Sequence, residues 1–143
     1  MFVTNQQHIQ IITNGSRSSA KGPAQSFTGS VLIDPLFDPS EYTQTSDALV
    51  SFEPGARTAW HTHPAGQTLI VTSGTGWVQE FGGERRTIQP GDVIWTPPNV
   101  KHWHGGTVTN RMSHIALANV LDGKLVDRLE QVSEDEYAGT PLG

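Results

Sequence analysis

The chain has 143 residues, 15 of them glycine and nine proline, no cysteine, and a formal net charge of −5. A domain of this length buries a sizeable core without cross-links, and the lack of cysteine excludes disulfide scaffolding, thiolate catalysis and cysteine-bound metal. Its nine lysines and arginines are scattered among 14 acids, which leaves no footprint for nucleic acid or an anionic membrane surface. No apolar run approaches membrane-spanning length, and the polar start Met1–Gln10 lacks a signal-peptide core, so a cytoplasmic location is expected.

In chain order, His8–Thr13 is expected as an edge strand and the polar stretch 14–22 as a mobile loop. Ser26–Asp34 reads as a further strand, broken by Pro35-Leu-Phe-Asp-Pro39. Apolar arms of this kind pack on a neighbouring subunit, and a homo-oligomer, dimer or tetramer, is expected. Strands of a barrel are expected at 48–52, 59–63, 67–73, 76–81, 85–88, 92–96, 102–105 and 113–120, with turn signals in nearly every gap. Short apolar runs so punctuated favour an all-β barrel or sandwich. One domain results: residues 1–47 supply an arm and edge strands, 48–121 the barrel, and 122–143 a terminal strand or helix and tail. Leu125, Val126, Leu129 and Val132 suit a helix, while 126–132 equally suits an edge strand. Ser133-Glu-Asp-Glu136 has the pattern of a capping box and predicts one short helix, after which Gly139–Gly143 is expected to fray.

Chemistry concentrates in two stretches. In Trp60-His-Thr-His63 the two-residue period of a strand puts His61 and His63 on one face, and the turn Pro64-Ala-Gly66 returns the chain so that Gln67 points to the same place. In Lys101-His-Trp-His104 the same alternation brings His102 and His104 to one face. Imidazoles with one amide oxygen suit a divalent first-row metal. His114, Ala116 and Ala118 share a face of the strand 113–120, which makes His114 either a pocket residue or a core histidine satisfied by a neighbour. Thr58, three residues before His61, offers a hydroxyl. Trp60 and Trp103 fall on the face opposite the histidines, as core or subunit-contact residues, and association is expected through 26–34 and the face that carries them. Asp92 and Glu53 read as solvated turn residues.

The two stretches resemble the paired motifs of the cupin family: Gly55, five residues, His61-x-His63, Gln67, six residues and Gly74; then Gly91, Pro97 and His102. The resemblance implies a single cupin domain, a double-stranded β-helix or jelly-roll barrel. It also implies His61, His63, Gln67 and His102 as metal ligands, with Gln67 where most cupins carry Glu. The run Phe52–Pro64, then Gly66–Thr72, Lys101–Gly105 and Asp122-Gly-Lys124, is similar to the small bacterial cupins that include manganese-dependent hydroxynitrile lyases, which split cyanohydrins into an aldehyde and hydrogen cyanide. That likeness implies Mn2+, with Fe2+, Ni2+ or Zn2+ as alternatives, His104 as the proton-transfer residue, and Thr58 and His114 assisting; Ala118 stands where those lyases carry Gln. Neutral ligands leave an ion its full charge and strengthen it as a Lewis acid toward a small-molecule substrate. An iron-dependent dioxygenase and a non-catalytic ligand-binding cupin use the same barrel and remain the alternative readings.

Overall fold

A computed structural model describes residues 8–139, folded as two facing sheets closed by a carboxy-terminal strap. The strands are β1 (Ala20–Lys21), β2 (Phe27–Thr28), β3 (Val31–Phe37), β4 (Thr45–Phe52), β5 (Arg57–Thr58), β6 (His61–Thr62), β7 (Gln67–Gly74), β8 (Gly76–Glu80), β9 (Arg85–Ile88), β10 (Val93–Thr96), β11 (His102–Gly106), β12 (Met112–Asn119) and β13 (Asp127–Arg128), followed by helix α1 (Glu134–Tyr137). One sheet runs β1-β3-β4-β12-β7-β10; the other runs β13-β6-β11-β5-β2, with β8 joining β11 to β9. Among the described residues no helix is long and apolar enough to cross a membrane.

Alternation decides what lies between the sheets. Val31, Val50, Phe52, Val71, Ile88 and Met112 point inward and form the main core. Trp60 and Trp103 point the other way, as expected, yet they are 2% and 0% exposed, because Val132, Tyr137 and Trp77 cover them. They are therefore core residues inside one chain, and neither is left at the surface for a subunit contact. The cover is pinned by Arg57, whose guanidinium donates to Val132 O (2.8 Å) and Glu134 Oε1 (3.1 Å) and sits 4.4 Å above the Tyr137 ring. The capping box forms as predicted: Ser133 Oγ accepts from Glu136 N at 3.1 Å, and Glu136 Oε1 accepts from Ser133 N at 2.9 Å. Upstream, the segment with both helical and strand character supplies β13, an edge strand on β6.

Several boundaries differ from expectation. His8–Thr13 joins neither sheet, and Ile9 and Ile11 are 94% and 82% exposed; the edge beside β3 goes instead to β1, inside the stretch expected as a loop. The break near residue 35 comes earlier. Gly29 takes φ +83° against the Ala56 backbone and separates β2 from β3, whereas Pro35 stays in β3 opposite Ala48, its missing donor absorbed by a register shift between Pro35 and Phe37. Strand 59–63 is split, since Ala59 N donates to Ser26 O and Trp60 N to Glu130 O. Asp92 and Glu53 are solvated turn residues, and Asp92 caps its turn by accepting from Gln89 N. Of the end expected to fray, residues 140–143 lie outside the described residues.

Candidate metal centre

The centre forms where β6, β7, β11 and β12 face one another. His61 and His102 are direct cross-strand partners, with ring centroids 4.2 Å apart. His63 follows after one outward residue, its ring 5.0 Å from that of His61. Between His63 and Gln67 the chain reverses at Gly66, which has φ +76° and donates to His63 O; a Cβ there would meet Trp95 at 2.4 Å and Thr96 O at 2.8 Å. His104 lies on the inner face of β11, 5.3 Å from His61, and His114 reaches in from β12. All six site side chains are at most 8% exposed.

Hydrogen bonds set the tautomers. A carbonyl only accepts, so the contacts of His61 Nδ1 with Ala59 O (2.8 Å), His63 Nδ1 with Leu125 O (2.9 Å) and His102 Nδ1 with Val100 O (2.9 Å) place the proton on Nδ1 in all three rings. Each Nε2 is left with a lone pair. The acceptors Nε2 of His63, Nε2 of His102 and Oε1 of Gln67 are buried without a hydrogen-bond partner. Such orphaned acceptors are costly unless a cation completes them, and imidazole nitrogens with an amide oxygen are donors that a divalent first-row ion accepts. The residues present therefore fit a metal. Ligating atoms of His61, His102 and His104 lie within 4.8 Å of one another, with the His63 ring beside those of His61 and His102 and Gln67 lining the same cavity.

Burial is the main reason every ring in the centre favours its neutral form. It lowers the pKa of His61 and His104 well below the ordinary value, with neighbouring imidazoles adding to it. His63 is lowered too, while His102 and His114 fall to about 4. Lone pairs are thus available through the neutral range.

His104 Nδ1 and His114 Nε2 are 3.0 Å apart, so the two sequence candidates for proton transfer are bonded to each other. Thr58 is brought to the same wall, where its Oγ accepts from the backbone N–H of His104 at 3.2 Å and fixes β11 there. Ala118 faces inward, 4% exposed, across from Ser46. A cavity of about 330 Å³ leads to the cluster, walled by Phe27, Ile33, Val50, Ala116, Leu125 and Val126, and touched by Thr58, His61, His63, Gln67, His104 and His114. Sequence reasoning missed three contributors: Phe52, packed 5.9 Å from His104 and 5.4 Å from His114; the carbonyl of Leu125; and Arg128 at the cavity wall. A backbone carbonyl leaves no signature in a sequence.

Residues 48–117 match the Cupin domain family. Over 129 residues the chain is 56% identical to an (R)-mandelonitrile lyase of Granulicella tundricola, covering 90% of this chain and 98% of that one. A cupin-like protein of Thermotoga maritima is 39% identical with a TM-score of 0.79, over 94% of this chain and 99% of that one. The polyketide cyclase RemF of Streptomyces resistomycificus, at 16% identity and TM-score 0.72 over 92% of each chain, shares the fold. The chain belongs to the cupin family.

Proposed function

We propose that this cupin is a metal-dependent lyase that cleaves cyanohydrins to an aldehyde and hydrogen cyanide. The observation that carries the reading is a buried set of five imidazoles and one amide beside an apolar cavity, with no carboxylate among the described residues that line it; the 56% identity to a mandelonitrile lyase supports it. His61, His63, Gln67 and His102 are the residues that would hold the ion, for which Mn2+ is our choice and Fe2+, Ni2+ or Zn2+ suit the same donors. When bound, a divalent ion would supply Lewis acidity that makes a substrate hydroxyl easier to deprotonate.

The chain's own groups do the rest. The hydroxyl proton passes to His104, which burial keeps neutral, with a lone pair free. As the carbonyl forms, the C–CN bonding pair leaves with the cyanide carbon, and the proton held by His104 returns to give HCN. His114 steadies the ring through the Nδ1 contact and Thr58 fixes the backbone that carries it. Phe27, Ile33, Val50 and Ala116 receive the organic group and exclude water.

The test is cyanide release from (R)-mandelonitrile by manganese-loaded and metal-stripped protein at mildly acidic pH, where spontaneous breakdown is slow. Release by the loaded form alone is expected. Equal rates would reject the lyase reading, and oxygen uptake with aromatic or diketone substrates would then point to the dioxygenase alternative.

A further inference from the structure

One permanent cation, exposed to solvent, lines the cavity. Among the described residues that line it, Arg128 is the single Arg or Lys, and no Asp or Glu is present. Register explains its position: Arg128 is the cross-strand partner of His61, and directly opposed residues of an antiparallel pair share a face. Val126, just before β13, also lines the cavity.

Among the described residues Arg128 forms no ion pair. The acids flanking it are already engaged, Asp127 with Lys124 at 2.5 Å and Glu130 with Lys101 at 2.7 Å. Among the described residues its own hydrogen bond is to a neutral amide, Gln25 Oε1, at 3.3 Å. A guanidinium so placed keeps donors for a ligand, and its planar fork matches a carboxylate.

We propose that Arg128 is an anion-binding residue of this cavity, and that the substrate carries a carboxylate at the end remote from its reacting carbon, joined to it by an apolar spacer. The spacer follows from the apolar side chains that line the same cavity as Arg128 and the histidines, among them Phe27, Ile33, Val50 and Ala116. The hydroxynitrile end of this substrate class rests on the lyase reading above; the carboxylate end does not.

Two measurements separate these halves. Calorimetric titration of the metal-loaded protein with 4-(hydroxymethyl)benzoate and with benzyl alcohol reads binding without turnover. The carboxylate is expected to bind roughly tenfold more tightly, as one charge-assisted contact at a partly solvated site provides, and the advantage should shrink in high salt. Arg128→Ala should abolish the advantage and Arg128→Lys should retain part of it. The second measurement is kcat/KM for the cyanohydrin of 4-formylbenzoate relative to mandelonitrile, a ratio expected to fall about tenfold in Arg128→Ala. No advantage in the unaltered protein, or one that survives Arg128→Ala, would overturn the proposal. An Arg128-dependent binding advantage with no cyanide released from either nitrile would leave the anion site standing and reject the lyase reading alone.

Discussion

Nδ1 of His104 and Nε2 of His114 are 3.0 Å apart, both rings buried in the barrel at 4% and 0% exposure. Two neutral imidazoles share such a bond only if one donates and the other accepts. With His104 donating, its Nε2 presents a lone pair to the cluster; with His104 accepting, the same Nε2 carries the proton. A proton taken up at Nε2 is balanced by passing the Nδ1 proton to His114, which spreads the charge over two rings. A group that must accept a proton and later return it is well served by that arrangement.

His104→Ala should therefore keep its metal and lose roughly 10²–10⁴-fold in the rate of cyanide release, with His114→Ala losing less. Metal content by elemental analysis and initial rates on mandelonitrile check both. A normal rate in His104→Ala would move the proton-transfer role to His114, and loss of metal would make His104 a ligand.

Ligand charge gives a second expectation. His63→Ala removes a donor whose tautomer Leu125 O sets, and metal content should drop far below one ion per chain. Gln67→Glu should retain the ion but turn over more slowly, because the added negative charge weakens the Lewis acid. Equal turnover at equal metal content would show that ligand charge does not control the rate.

Acid should destabilise the metal-free protein. The buried histidines have folded pKa values below 6.5, so between that value and about 4 the unfolded chain binds more protons than the folded one. Their stabilising contribution is complete above pH 6.5 and is lost as pH falls toward 4. For His102, shifted from 6.5 to about 4, the loss is roughly 3 kcal/mol. Urea midpoints measured from pH 7 to pH 4.5 should fall steadily; a flat profile would contradict the buried neutral rings.

The clasp at the chain's end should be measurable apart from the metal. Tyr137 Oη donates to Gly106 O at 2.7 Å inside the second core. Tyr137→Phe leaves that buried carbonyl unpaired, at a cost of roughly 1–2 kcal/mol, with metal content unchanged. Gly66→Ala should do the reverse of this separation, lowering stability and metal content together, since φ +76° and the nearby Trp95 ring and Thr96 carbonyl leave no room for a Cβ in the turn between two ligands.

Much of the centre was legible because a strand's alternation is local. His61 and His63, like His102 and His104, reach one face whatever the rest of the chain does, and the pattern Ser133 to Glu136 caps its helix by contacts three residues apart. What could not be read depends on distant partners. Strand 59–63 divides because Ala59 bonds Ser26 and Trp60 bonds Glu130. Pro35 keeps its place because a bulge accommodates it. Trp60 and Trp103 are internal because Val132 and Tyr137, far along the chain, cover them. Arg128 gains meaning only from its register with His61.

The strap has a consequence for solubility. β13 occupies the open side of β6 and ends its sheet there with two residues, both charged, Asp127 and Arg128. A short charged edge is a poor template for pairing with another molecule. Clipping the chain before Leu125 would bare the backbone of β6 and uncover Trp60 and Trp103 at once, presenting an unpaired strand beside two indole rings. Partial proteolysis at the carboxy terminus should therefore promote aggregation through that seam.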